Sequence, residues 1–142
     1  MAIIQTLTTS FKVEVAQGLH NFTTGTGDVF KLALYTANAD LGASTTAYTT
    51  AGEVSGTNYS AGGIILTNIT PSFQGTTAYW SFDTATFTNV TLTTNGALIY
   101  NSTNGNRSVA VLNFGVNITK TAQNLVITFP ANDATNAVLR IA

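Results

Sequence analysis

The chain is expected to be all-β, an antiparallel β-sandwich with one short N-terminal helix. Three observations lead there. Eight short stretches alternate apolar with polar residues or carry β-branched and aromatic side chains, polar turn segments separate them, and helical spacing occurs only once, near the start. A jelly roll is one arrangement compatible with this pattern, which leaves the strand order open.

The helix is predicted over residues 11–20, after an N-terminal arm of residues 1–10. Phe11, Val15, Leu19 and Phe22 fall at i, i+4, i+8 and i+11, and Ser10 stands where an N-cap would accept the first free amides. Gly18 and the Thr23–Gly27 segment end it. This spacing turns Lys12, Glu14 and Gln17 toward solvent. From Val29 the period drops to 2, with Phe30, Leu32 and Leu34 on one face and Lys31 and Tyr35 on the other. Further strands are predicted at Ile64–Ile69, Thr76–Phe82, Val90–Thr94, Ala97–Tyr100, Ser108–Phe114, Leu125–Phe129 and Ala137–Ile141. The Asn101–Arg107 segment carries Asn-Gly between two alternating runs, so Ala97–Tyr100 and Ser108–Phe114 are expected to pair as a hairpin. Asn95-Gly96 fits either a second tight turn or a bulge. Residues 36–63 lack clear periodicity, and a loop of that length is expected to leave the sandwich and touch a partner.

Composition narrows the function. The 142 residues form a single domain, with 8% charged residues, a net charge of −1 and no cysteine. An average soluble chain is about one quarter charged. Here 27 Thr and 14 Asn fill that space, giving a neutral hydrogen-bonding coat. Five basic residues against six acidic ones supply no stripe for nucleic acid. The amino end has neither the charge nor the apolar run of a signal or membrane segment, and no membrane association is expected. Seven Asn-x-Ser/Thr triplets, beginning at Asn21 and ending at Asn117, are what so Thr-rich a chain generates by chance.

Candidate chemistry is sparse. His20 is the only histidine, and a helix-end histidine reads as a surface or capping residue ahead of a catalytic base. Glu14, Asp28, Asp40, Glu53, Asp83 and Asp133 are scattered singly, without the spacing of a carboxylate pair or a metal site. Gly25-Thr-Gly27 and Gly62-Gly63 lack the Gly-Lys-Ser/Thr ending of a phosphate loop and read as turns. No catalytic residue, cofactor or metal is expected. The aromatic candidates for a sugar platform are Tyr48, Tyr59, Tyr79 and Trp80. Alternation along Thr77–Phe82 puts Trp80 in the core, whereas Tyr48 and Tyr59, in the long loop, are freer and suit a protein interface. With Glu53 between them, they are the predicted contact residues.

Several blocks resemble small virion structural proteins of tailed bacteriophages. They are Phe11-Lys-Val-Glu-Val-Ala-Gln-Gly-Leu-His-Asn-Phe22, Val29-Phe-Lys-Leu-Ala-Leu-Tyr-Thr36, residues 45–63, Gly96-Ala-Leu-Ile-Tyr-Asn-Ser-Thr103, Val109-Ala-Val-Leu-Asn-Phe-Gly115 and Ala137-Val-Leu-Arg-Ile-Ala142. The resemblance implies a particle component without enzymatic activity, made in the host cytoplasm. The expected role is that of a capsid decoration, or cement, protein on the capsid exterior. It would be a homotrimer that binds the major capsid protein and bridges its subunits. The alternative is a tail, baseplate or fibre component, including a host-glycan-binding module.

Overall fold

A computed structural model describes residues 2–142; Met1, the first residue of the expected N-terminal arm, lies outside the described residues. In chain order the elements are β1 (Thr6–Leu7), α1 (Thr9–Ala16), β2 (Phe30–Tyr35), β3 (Ile64–Ile65), β4 (Asn68–Gln74), β5 (Thr77–Phe82), β6 (Ala85–Asn101), β7 (Arg107–Ile127) and β8 (Leu139–Ile141). They make two antiparallel sheets, β1-β7-β6-β2-β3 and β4-β5-β8, as expected of a β-sandwich.

The helix differs from its predicted bounds. It starts at Thr9 because Thr8, not Ser10, is the N-cap, its hydroxyl accepting the Phe11 N–H. It stops at Ala16, where the Gln17 and Gly18 amides close on Glu14 and Val15 carbonyls and Gly18 takes a φ of 72°. Leu19 and Phe22 therefore follow the helix. Glu14, expected in solvent, is buried, because His20 and Arg107 bring it two hydrogen-bond donors.

Phe30, Leu32 and Leu34 of β2 and Ile99 of β6 pack against Trp80 and Phe82 of β5, Leu139 of β8 and Phe11 of α1. Phe22 stacks on Phe30 at 4.2 Å and also packs against Trp80 and Phe82. Each such side chain contributes about 1.5–3 kcal/mol by leaving water.

The expected hairpin forms, with Ala97, Leu98 and Ile99 opposite Leu112, Val111 and Ala110. It is far longer than predicted. Asn95-Gly96 is a bulge, with a register shift between Thr94 and Gly96, so the segments predicted separately at Val90–Thr94 and Ala97–Tyr100 belong to one strand. On the other arm, Ser108–Phe114 and Leu125–Ile127 are joined through residues 115–124, while Thr128 and Phe129 lie beyond the strand. That joining segment is polar and largely exposed on both faces, so no apolar period marks it.

Residues 36–63 do not leave the sandwich, contrary to expectation. Ala33, Tyr35, Leu98, Tyr100 and Val111 point away from the main core and form a second one with Ile3, Ala39 and Leu41. The loop covers that second face. Bridges Ile3–Leu41, Tyr35–Glu53, Ala47–Arg107 and Thr57–Thr91 stitch it down. An uncovered apolar sheet face would be an aggregation site, which is the physical reason the loop lies flat.

Gly63 is the tightest point of this cover. Its φ is 80°, and a Cβ there would sit 1.8 Å from the Leu32 carbonyl oxygen. Gly63→Ala should lower unfolding free energy by more than the about 1–3 kcal/mol of a strained backbone alone, read from the urea midpoint; an unchanged midpoint would disprove this packing.

Candidate functional site

Two polar clusters and one cleft stand out. The first gathers the three predicted contact residues around a single carboxylate. Tyr48 donates its hydroxyl hydrogen to Glu53 Oε1 at 2.6 Å, and Tyr59 donates to Oε2 at 2.7 Å. The Gly62 amide also donates to Oε2, at 2.8 Å. Around this centre, the Leu34 amide donates to the Tyr59 hydroxyl, Tyr100 donates to the Gly62 carbonyl, and Tyr35 donates to the Thr49 carbonyl. The Tyr48 and Tyr100 rings stack at 4.8 Å. Sequence reasoning singled out Tyr48, Glu53 and Tyr59 but read both tyrosines as free. Their hydroxyls are spent within the chain, and Tyr35 and Tyr100, which it did not single out, complete the set. The alternation of β2 and β6, which sends Tyr35 and Tyr100 to the face away from the main core, was the available signal.

Burial, and then proximity to Glu53, raises the Tyr100 hydroxyl to about 12, and burial raises those of Tyr35, Tyr48 and Tyr59 as well. The neutral form is therefore the one the fold prefers. Because the folded value lies above the unfolded one near 10, this stabilisation is complete below about pH 10 and disappears as pH rises through about 12. A tyrosinate absorbance titration followed in parallel with circular dichroism should show ionisation and unfolding together in that window. Ionisation of Tyr35, Tyr48, Tyr59 and Tyr100 at pH 10 with the fold retained would refute it. At neutral pH, Glu53→Gln turns an acceptor that serves Tyr48, Tyr59 and Gly62 into an amide able to accept at one atom only. The expected loss is about 1–3 kcal/mol, read by denaturant unfolding, and no loss would show that the carboxylate does not hold the loop.

The second cluster surrounds His20, whose side chain has no exposed surface. Its Nε2 lies 2.9 Å from Glu14 Oε1, and Arg107 Nη1 lies 2.9 Å from Glu14 Oε2. Asn101 Oδ1 accepts the Thr103 and Asn104 amides, which fixes the orientation of that side chain. Its Nδ2 then donates to Asp28 Oδ2 at 2.8 Å and faces His20 Nδ1 at 3.1 Å. Nδ1 is thus the acceptor, and the ring proton sits on Nε2 toward Glu14. The ring packs among Phe11, Phe22 and Phe30. His20 is therefore a buried strut, not the surface or capping residue its position suggested.

The cleft, of about 290 Å³, lies between α1 and β8. Phe11 and Val15 line one side, Trp80, Leu139 and Ile141 the other, and the exposed Lys12 and Arg140 border it. Trp80 is in the core, as alternation predicted, and no atom of the described residues accepts its indole N–H. Among the described residues no group of three or more His, Cys, Asp or Glu side chains could hold a metal, and no helix is long and apolar enough to cross a membrane.

Outward from the main core, β6 presents Thr86, Thr88, Thr91 and Thr93, and β7 continues that surface. Thr93 and Thr119 hydroxyls bond at 3.0 Å, as do the Asn95 and Asn117 amides. The result is a hydroxyl and amide surface around Thr93, Asn95, Asn117 and Thr119; the charged residues of β6 and β7 are Arg107, held by Glu14, and Lys120, which pairs with Leu92 on the opposite face. Compared with family models, curated proteins and solved structures, the chain has no match.

Proposed function

We propose that the protein is a phage virion structural protein, a capsid decoration protein that binds the assembled outer shell and links neighbouring major capsid subunits. The observation that carries this reading is the β6–β7 ribbon. Between Thr86 and Asn95 of β6, and opposite them on β7, its outward face is largely threonine and asparagine without charge, suited to many weak contacts with a large neighbour. The sequence blocks that resemble small tailed-phage virion proteins support the same class. The polar clusters point the same way, since Glu53 and His20 have their hydrogen bonds met inside the chain and are used to fasten the fold.

The mechanism is linkage. A protein that binds assembled subunits and not separated ones stabilises the assembly, and a homotrimer multiplies weak contacts through effective concentration. The tail or glycan-binding alternative gains nothing from three of its four aromatic candidates, because Tyr48 and Tyr59 have their hydroxyls on Glu53 and Trp80 is buried, which leaves half-buried Tyr79.

Quantitative mass spectrometry of purified virions tests this. A copy number that is a large fixed fraction of the major capsid protein, one to one included, is expected. A few dozen copies or fewer would transfer the protein to the tail, and absence from the particle would end the structural reading.

A further inference from the structure

The small sheet carries an apolar row that the large sheet does not cover. Trp80 pairs with Leu139, and one step outward on the same face Ala78 stands between Phe73 of β4 and Ile141 of β8. Trp80 and Leu139 face the core, so Phe73 and Ile141 face inward too. Yet Phe73 is 76% exposed and Ile141 53%. The row opens into the cleft between α1 and β8, whose floor includes Trp80 and Leu139.

Charge singles out the same place. Of five basic residues in the chain, Lys12 and Arg140 both border this cleft. Neither forms an ion pair among the described residues, where both pairs involve Glu14. Arg140 instead donates to the Thr135 carbonyl, with the Asp133 carboxylate near enough to be stabilised by it. Two cations without a direct ion pair beside an uncovered apolar row complement a carboxylate next to an apolar side chain.

That pairing discriminates between occupants. A twofold pair of copies would bring four like charges together; a head-to-tail contact within the homotrimer would not, and light scattering distinguishes it. A lipid surface is recognised by clusters of about four to eight basic residues, and the cleft has two. A small molecule filling the cleft would leave Phe73 bare, since Phe73 is not among its lining residues.

We infer that the open end of the sandwich, between α1 and β8, docks a segment of the major capsid protein bearing an apolar side chain beside a carboxylate. This rests on the shell-binding reading and adds to it the surface used and the chemistry recognised.

Two double variants, Lys12→Glu/Arg140→Glu and Phe73→Ser/Ile141→Ser, test it on shells stripped of this protein. All four positions are exposed, so both should keep the wild-type circular dichroism and melting temperature; a variant that fails this is replaced by its single substitutions. Wild-type protein should load saturably and more weakly at high salt. Each double variant should need at least about tenfold more protein for half-loading, and the charge-reversed one should lose the salt dependence. Wild-type-like loading by both folded variants overturns the docking surface and leaves the shell-binding reading standing. Failure of wild-type protein to load overturns both. Light scattering of the free proteins covers the remaining case: if the substitutions dissolve a wild-type oligomer, the surface joins copies of this chain and the inference is wrong.

Discussion

Because Ala33, Tyr35, Leu98, Tyr100 and Val111 face away from the main core, the large sheet needs a second cover, and the Glu53 carboxylate fastens it. One side chain thereby links three points of a loop that has little regular structure of its own. Tyr48 arrives from one side, Tyr59 from the other, and Gly62 closes the turn toward β3. The arrangement suits a carboxylate because its two oxygens accept several hydrogen bonds at once, which no neutral side chain of similar size matches. Burial of the tyrosine rings then adds to the hydrogen bonds, so packing and polarity act on the same residues.

The His20 cluster solves a related problem at the opposite face. The turn from Asn101 to Arg107 and the segment after α1 both expose backbone groups near the core, and Asn101 meets the Thr103 and Asn104 amides and the Leu19 carbonyl with one side-chain amide. Glu14 lies buried because Arg107 and His20 supply donors to its two oxygens. In a chain with so few charges, nearly every buried ionisable group is thus committed to architecture. That frees the surface to be neutral, which is the property the proposed function draws on.

Much of the sandwich was legible in the sequence, and the misses have separate physical causes. Alternation located β2 and the turn-proximal hairpin because one face of each is strictly apolar. It could not see β7 between Gly115 and Asn124, where strand geometry is imposed by pairing with β6 and not by burial. Thr8 and Ser10 are equally good cap residues by type, each with amides two and three positions on, and the choice falls to Thr8 because β7 draws it into contact with Ser108. Tyr48, Glu53 and Tyr59 were found by their chemistry, but the direction of their hydroxyls depends on where a long loop lies. The α1–β8 cleft was invisible for a similar reason: Lys12 and Arg140 are 128 positions apart in sequence.

The contacts of the first segment carry a consequence for biosynthesis. Gln5 receives the Asn113 amide, Thr6 and Leu7 pair with Val111 and Ala110, Thr8 meets Ser108, and Glu14 meets Arg107. This segment leaves the ribosome ahead of the rest of the domain, and its partners lie about one hundred positions behind it. At ordinary rates of about 5–20 residues per second, α1 and its flanking strand wait several seconds for their docking surface. Contacts of such high sequence separation also slow the final closure. During that interval Phe11, Val15 and the other core-facing residues of the segment are available to chaperones, and the order of synthesis makes the N-terminal segment among the last parts of the domain to settle.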